Sequence, residues 1–191
     1  IAIVVNGFPE NSETFIINKV LALASAGNKV HVVRLNRTGN QSLFKLYEFD
    51  KNEHIKIENP YLPSSLVSFL IFVVKNPIIA LQSISLNTKN FYNNIRKKVY
   101  LGLFNNNGFD IIHFEFSGLA VSFLDILNEI KPVTVLSCRG SAEKVKILTE
   151  PNRAEKLAKA FDIIQAIHCV SSDMKNTIQP YCKTIEKVFV N

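Results

Sequence analysis

The first five residues, Ile1-Ala2-Ile3-Val4-Val5, are all apolar. A strand apolar at every position has both of its faces buried, which is the environment of a parallel sheet covered by helices on both sides. After a short loop, Asn6-Gly7-Phe8-Pro9-Glu10-Asn11, the pattern changes to helical spacing. Ser12 reads as an N-cap, a helix is predicted from about Glu13 to Ala26 with Ile16 or Ile17, Val20, Leu21, Leu23 and Ala24 as its apolar stripe, and Gly27 stops it. Lys29 to Leu35 is the second predicted strand, so the chain opens on a βαβ unit, a crossover that is nearly always right-handed.

The alternation is interrupted once and then resumes. Gly39 to Asn59 reads as polar and irregular, with at most a short strand near Ile55 to Ile57, and a helical region is predicted from Ser64 to about Phe104, stopped by Asn105-Asn106-Asn107-Gly108. Then come strand Asp110 to Phe114, helix Gly118 to Ile130, strand Val133 to Ser137, a helix near Arg153 to Phe161, strand Ile167 to Val170, helix Ser172 to Gln179 and a last strand Lys187 to Val190. This order predicts an α/β fold with a doubly wound, mainly parallel, Rossmann-like sheet.

Composition narrows the function classes. With 191 residues, 47% hydrophobic and 20% charged, the chain is neither disordered nor a disulfide scaffold. Cys138, Cys169 and Cys182 are widely spaced in apolar runs and read as reduced core residues. The opening run lacks the basic flank and cleavage site of a secretory signal. Both features predict a cytoplasmic protein, beginning a residue or two before Ile1.

The net charge of +6 is local. From Asn59 to Phe109 there is no Asp or Glu, only Lys75, Lys89, Arg96, Lys97 and Lys98, so the rest of the chain is nearly neutral. The same segment holds the most apolar stretch, Leu66 to Val74, continued by Ile78 to Leu81 after Lys75-Asn76-Pro77. A membrane span needs roughly 20 uninterrupted apolar residues, and Lys75 and Pro77 break this one too early. Two readings remain: helices buried in the core, or helices lying peripherally on the anionic inner face of the plasma membrane. The bases lack the motif spacing and aromatic interleaving of nucleic-acid modules, so no nucleic-acid partner is expected.

Ligands of open α/β sheets bind outside the carboxyl ends of the strands, and four strand ends here carry polar clusters. The first is Asn6-Gly7-Phe8-Pro9 leading to Ser12-Glu13-Thr14, where glycine permits close backbone approach. The second is His113, Glu115, Phe116, Ser117 and Gly118; the third is Arg139-Gly140-Ser141; the fourth is Ser171-Ser172, which caps the next helix. Glu115, between Phe114 and Phe116, is costly if buried alone, so it reaches either solvent or a partner such as Arg139. Arg139 suits either a bidentate anion contact or a structural salt bridge to Glu115, and His113 is equally readable as a core histidine. No phosphate-loop, dinucleotide or metal-ligand motif occurs, and neither a cofactor nor a bound metal is expected.

In their order along the chain, Phe8-Pro9-x-x-Ser12-Glu13-Thr14-Phe15-Ile16, Leu21 to Gly27 with Asn28-Lys29-Val30, Asp110-Ile111-Ile112-His113, Val135 to Ser141 and Cys169-Val170-Ser171-Ser172-x-Met174 resemble the N-terminal half of family 4 glycosyltransferases with the GT-B architecture. The resemblance implies a Rossmann-like acceptor-side domain over residues 1–191, followed by a donor-binding domain with paired glutamates after Asn191. It implies metal-independent transfer from a nucleotide-sugar donor to a saccharide or lipid-linked acceptor with retention, in surface polysaccharide or glycolipid synthesis, the isolated half being inactive. Under it His113 and Arg139 are the catalytic candidates. Gly7, Ser12, Glu13, Thr14, Glu115, Gly140, Ser141 and Ser171 are the substrate-binding ones. Many members carry His-Gly-x-Asp where this chain has Arg139-Gly140-Ser141-Ala142, so an imidazole and a carboxylate are both replaced. The competing expectation is a stand-alone, non-catalytic ligand-binding α/β domain. The first strand end lacks the acidic cluster of a phosphorylated receiver, which argues against that kind of module.

Overall fold

The structure is a computed structural model describing residues 1–36, 38–60, 62, 66–83 and 88–190. In chain order the strands and helices are β1 (Ala2–Val5), α1 (Thr14–Ser25), β2 (Val30–Arg34), α2 (Gln41–Leu46), β3 (Ile55–Glu58), α3 (Leu66–Lys75), α4 (Pro77–Gln82), α5 (Thr88–Asn106), β4 (Ile111–Phe114), α6 (Ser117–Ser122), β5 (Val133–Cys138), α7 (Ser141–Lys144), α8 (Lys146–Thr149), α9 (Arg153–Ile163), β6 (Ala166–Cys169), α10 (Ser172–Ile178) and β7 (Val188–Val190). The seven strands form one sheet in the order β3-β2-β1-β4-β5-β6-β7, and every pair is parallel. The strand order reverses between β1 and β4, which is the topological switch point of a doubly wound sheet.

Two cores flank the sheet, one on each face. On one side α1 lays Ile16, Ile17, Val20 and Ala24 against Ile3, Val5, Val30 and Val32, with Phe8 and Phe49 closing the edge. On the other, α5, α6, α9 and α10 pack over Val4, Ile112, Phe114, Leu136 and Ile167. Its centre is an aromatic group in which the Tyr100, Phe104 and Phe114 rings lie 4.8 to 5.6 Å from that of Phe123. All three cysteines are free and buried.

All seven strands fall where they were expected, while several helices differ. Helix α1 begins at Thr14, and Ser12 is not its cap: Asn11–Glu13 is a 3-10 turn closed by the Glu13 amide on the Glu10 carbonyl, which satisfies the backbone without a side-chain cap. The other end follows expectation. Gly27, at φ 83°, closes a Schellman motif in which the Asn28 amide reaches the Leu23 carbonyl. Residues 39–59 are not irregular throughout, because Asn40 Oδ1 accepts from the Ser42 and Leu43 amides and starts α2. The helix expected over Gly118 to Ile130 stops at Ser122, whose hydroxyl bonds the Leu119 carbonyl while the chain turns to bury Phe123, Ile126 and Leu127. The helical region before β4 is divided at Asn76-Pro77, and Ser64, its expected start, lies outside the described residues.

Candidate functional site

Glu115 stands one residue past β4 with no exposed surface. Its Oε1 receives the Lys19 ammonium at 2.5 Å and its Oε2 receives Arg139 Nη2 at 3.0 Å. The expected partner Arg139 is therefore present, and Lys19 is a second one that sequence reasoning missed. Lys19 lies on α1 beside the buried Ile16 and Val20, so its stem follows the apolar stripe and its head reaches the edge of the sheet. The Arg139 guanidinium lies 4.1 Å from the centre of the Phe15 ring, which in turn meets Phe116 edge-on. One carboxylate between two cations leaves the cluster with a net positive charge.

A hydrogen-bonded chain runs from this cluster across three strands. Lys19 Nζ lies 3.3 Å from His113 Nδ1, His113 Nε2 lies 2.8 Å from Ser137 Oγ, and Ser137 Oγ lies 3.0 Å from His168 Nδ1. An ammonium only donates, so Nδ1 of His113 accepts, its Nε2 carries the proton and donates to Ser137, and the Ser137 hydroxyl donates onward to His168. Burial pushes the His113 imidazole down to about 4, against an opposing pull from Glu115. Burial would by itself raise the Glu115 carboxyl, but its interactions with His113, Lys19 and Arg139 outweigh it and hold the group below its usual range. Burial lowers Lys19 and His168 as well. Both ring nitrogens of His113 are thus engaged inside the protein.

The remaining candidates surround this cluster at the carboxyl edge. Gly7 is buried, and a Cβ there would run into the Thr38 side chain and stand 2.5 Å from the Glu10 carboxylate, so this glycine serves the internal packing of its own loop. Ser12 and Thr14 are exposed. Glu13 is half-buried, its Oε2 has no partner, and burial together with Glu10 and Glu115 raises its carboxyl. Gly140, at φ 152°, precedes α7, where the buried Glu143 reaches back to the Gly140 amide at 3.0 Å as in a capping box. The Ser141 side chain lies outside what the structure describes. Ser171 caps α10, accepting from the Met174 amide at 3.1 Å, one position earlier than Ser172. Ser171→Ala is expected to cost about 1 kcal/mol, read as a lower urea midpoint with an unchanged slope.

A cavity of about 530 Å³ opens at the switch point, lined by Asn6, Glu13, Asn36, Phe116, Gly118, Lys146 and Arg153 among others. A smaller one of about 100 Å³ beside it is lined by Phe116, Arg139, Gly140, Ala142 and Glu143. Another of about 530 Å³ sits at the opposite, amino edge near His31 and Asp110, away from the strand ends where such folds hold ligands.

The sheet order and the crevice define a Rossmann-like α/β domain. No protein-family model and no curated protein matches the sequence. Among solved structures the chain is similar to Arabidopsis thaliana UGT89C1, crystallised in complex with UDP-L-rhamnose, with a TM-score of 0.56 and 13% identity. The similarity covers 99% of this chain and 51% of the other, so this chain spans about half the length of that structure.

Proposed function

We propose that this chain is the acceptor-side, N-terminal domain of a retaining family 4 glycosyltransferase of GT-B architecture, acting on a saccharide or lipid-linked acceptor in surface polysaccharide or glycolipid synthesis. The observation that carries the reading is the net-positive Lys19–Glu115–Arg139 cluster beside the switch-point crevice, on a fold shared with a protein that holds a UDP-sugar. In the reaction an acceptor hydroxyl attacks the anomeric carbon. The bond to the nucleoside diphosphate breaks, a glycosidic bond forms on the same face, and the hydroxyl proton leaves with the diphosphate. Fixed positive charge facing the departing diphosphate favours the transition state. Arg139, anchored by Glu115 and lining the smaller cavity, is the residue of this chain suited to supply it. His113 positions Lys19 and Ser137, and a second domain supplies most of the donor site.

The test uses the protein encoded by the whole reading frame, incubated with a panel of nucleotide sugars and candidate acceptors. Acceptor-dependent release of nucleoside diphosphate is expected, with retention read from the anomeric proton coupling of the product. Acceptor-independent binding without turnover would favour the stand-alone binding domain instead.

The peripheral membrane station is part of the same reading. Leu70, Val74, Ile78 and Leu81 on α3 and α4 are 64 to 80% exposed, in the segment that carries bases and no acids. No described helix is long and apolar enough to cross a membrane. Apolar side chains inserted at an interface, with bases facing anionic headgroups, account for both features. Flotation with phosphatidylglycerol vesicles is expected, loss of it in Val74→Asp/Leu81→Asp, and none with phosphatidylcholine alone; indifference to anionic vesicles would remove this element.

A further inference from the structure

Arg153 lies outside the cluster described above and carries an unusual charge balance. It opens α9, yet its side chain turns inward and only 7% of the residue is exposed. A guanidinium has five N–H donors and cannot shed its charge, so a buried one normally has them satisfied. Here Nε has no partner, Nη2 meets Ser117 Oγ only at 3.4 Å, and Nη1 lies 4.0 Å from the half-exposed Glu150 carboxylate. The group lines the switch-point cavity, beside Gly118, where the absent side chain leaves room next to Nη2.

The rest of the cavity completes the pattern. Lys146 stands at the rim and shares Glu150 with Arg153, at 3.4 Å. Two cations thus face this end of the cavity with one half-exposed carboxylate between them, an excess of one positive charge that suits an anion. Farther along the wall are the amides of Asn6 and Asn36 and the half-buried Glu13 carboxyl, groups that bind hydroxyls.

We propose that this cavity binds a phosphate-bearing polyol, the phosphate held by the Arg153 fork and Lys146 and the hydroxyls by Glu13, Asn6 and Asn36. The assignment rests on the reading of the carboxyl edge as an acceptor side and narrows the acceptor to a phosphorylated one. A planar guanidinium offers paired N–H donors that match two phosphate oxygens at once.

The experiment titrates the 191-residue chain, followed by the amide resonances of Ser117, Gly118 and Lys146. The probes are hexose 6-phosphate, the neutral hexose, and a short-chain, water-soluble phosphatidylglycerol. The sugar phosphate is expected to saturate these shifts at a concentration at least about tenfold below that of the neutral hexose. Tighter binding of the lipid probe assigns the phosphate to a lipid headgroup; tighter binding of the sugar phosphate assigns it to a soluble acceptor. Arg153→Gln is expected to weaken binding about 10- to 100-fold. Lys146→Gln, at an exposed position that leaves the core intact, is expected to weaken it a few-fold. Equal affinity for the neutral hexose, wild-type binding by both variants, or shifts confined to Lys19 and Arg139 would overturn the proposal. Binding is read without donor or turnover, so the two readings fail separately. Phosphate binding here with no sugar transfer by the whole protein sinks only the enzyme reading, and transfer with a phosphate-blind cavity sinks only this one.

Discussion

Glu115→Ala is expected to lower the unfolding free energy by about 3 to 5 kcal/mol, the cost of leaving buried charge without its counter-charge. The carboxylate is wholly buried and serves two cations, Lys19 and Arg139, whose side chains are only 26% and 17% exposed. Removing it leaves both partly buried cations without their counter-charge. Urea unfolding measures the loss directly, and a change below about 1 kcal/mol would mean that solvent screens both cations as it does surface pairs. Glu115→Leu combined with Lys19→Met is expected to recover part of the loss, because it removes one of the stranded charges as well as the carboxylate.

Acid is expected to destabilise the fold through His113 before the carboxylates of the surface titrate. The imidazole titrates at about 4 in the folded chain and near 6.5 when free. Between those values the unfolded chain holds a proton that the folded chain does not, so each step down in pH favours unfolding. The contribution is complete above about pH 6.5 and lost toward pH 4, a difference on the order of 3 kcal/mol. His168 shifts in the same direction. Glu115, held below its usual range, continues the loss at lower pH, because its stabilisation is present above the ordinary carboxylate value and disappears as pH falls through the native one. Unfolding midpoints measured at closely spaced pH values should fall steeply for the wild type. In His113→Gln the slope between pH 6.5 and 4 should be much shallower; an unchanged slope would place the titration elsewhere.

The sheet was legible because a strand buried on both faces leaves an unbroken apolar run, as in Ile1 to Val5. Glu115 was legible for the opposite reason, a carboxylate where burial is certain to be costly. Lys19 was not, since a lone lysine on a helix reads as a solvated residue and its carboxylate is 96 positions away. Arg153 was hidden similarly: after Pro151-Asn152 it looks like an ordinary first-turn residue, and only the tertiary fold turns it inward. Helix α2 left a usable trace, the cap Asn40, inside a segment whose polarity suggested a loop.

The all-parallel order also bears on how the chain is born. The central pair joins Ala2 to Ile112, so β1 has no second neighbour until the ribosome has delivered β4. At about 5 to 20 residues per second that interval is roughly 5 to 20 seconds, during which one edge of β1 is open and Lys19 has no carboxylate to meet. The ion-pair cluster is therefore a late event in synthesis. Its closure marks the moment when the two halves of the sheet become one, and a nascent chain stalled before Glu115 would present that open edge to chaperones or to other chains.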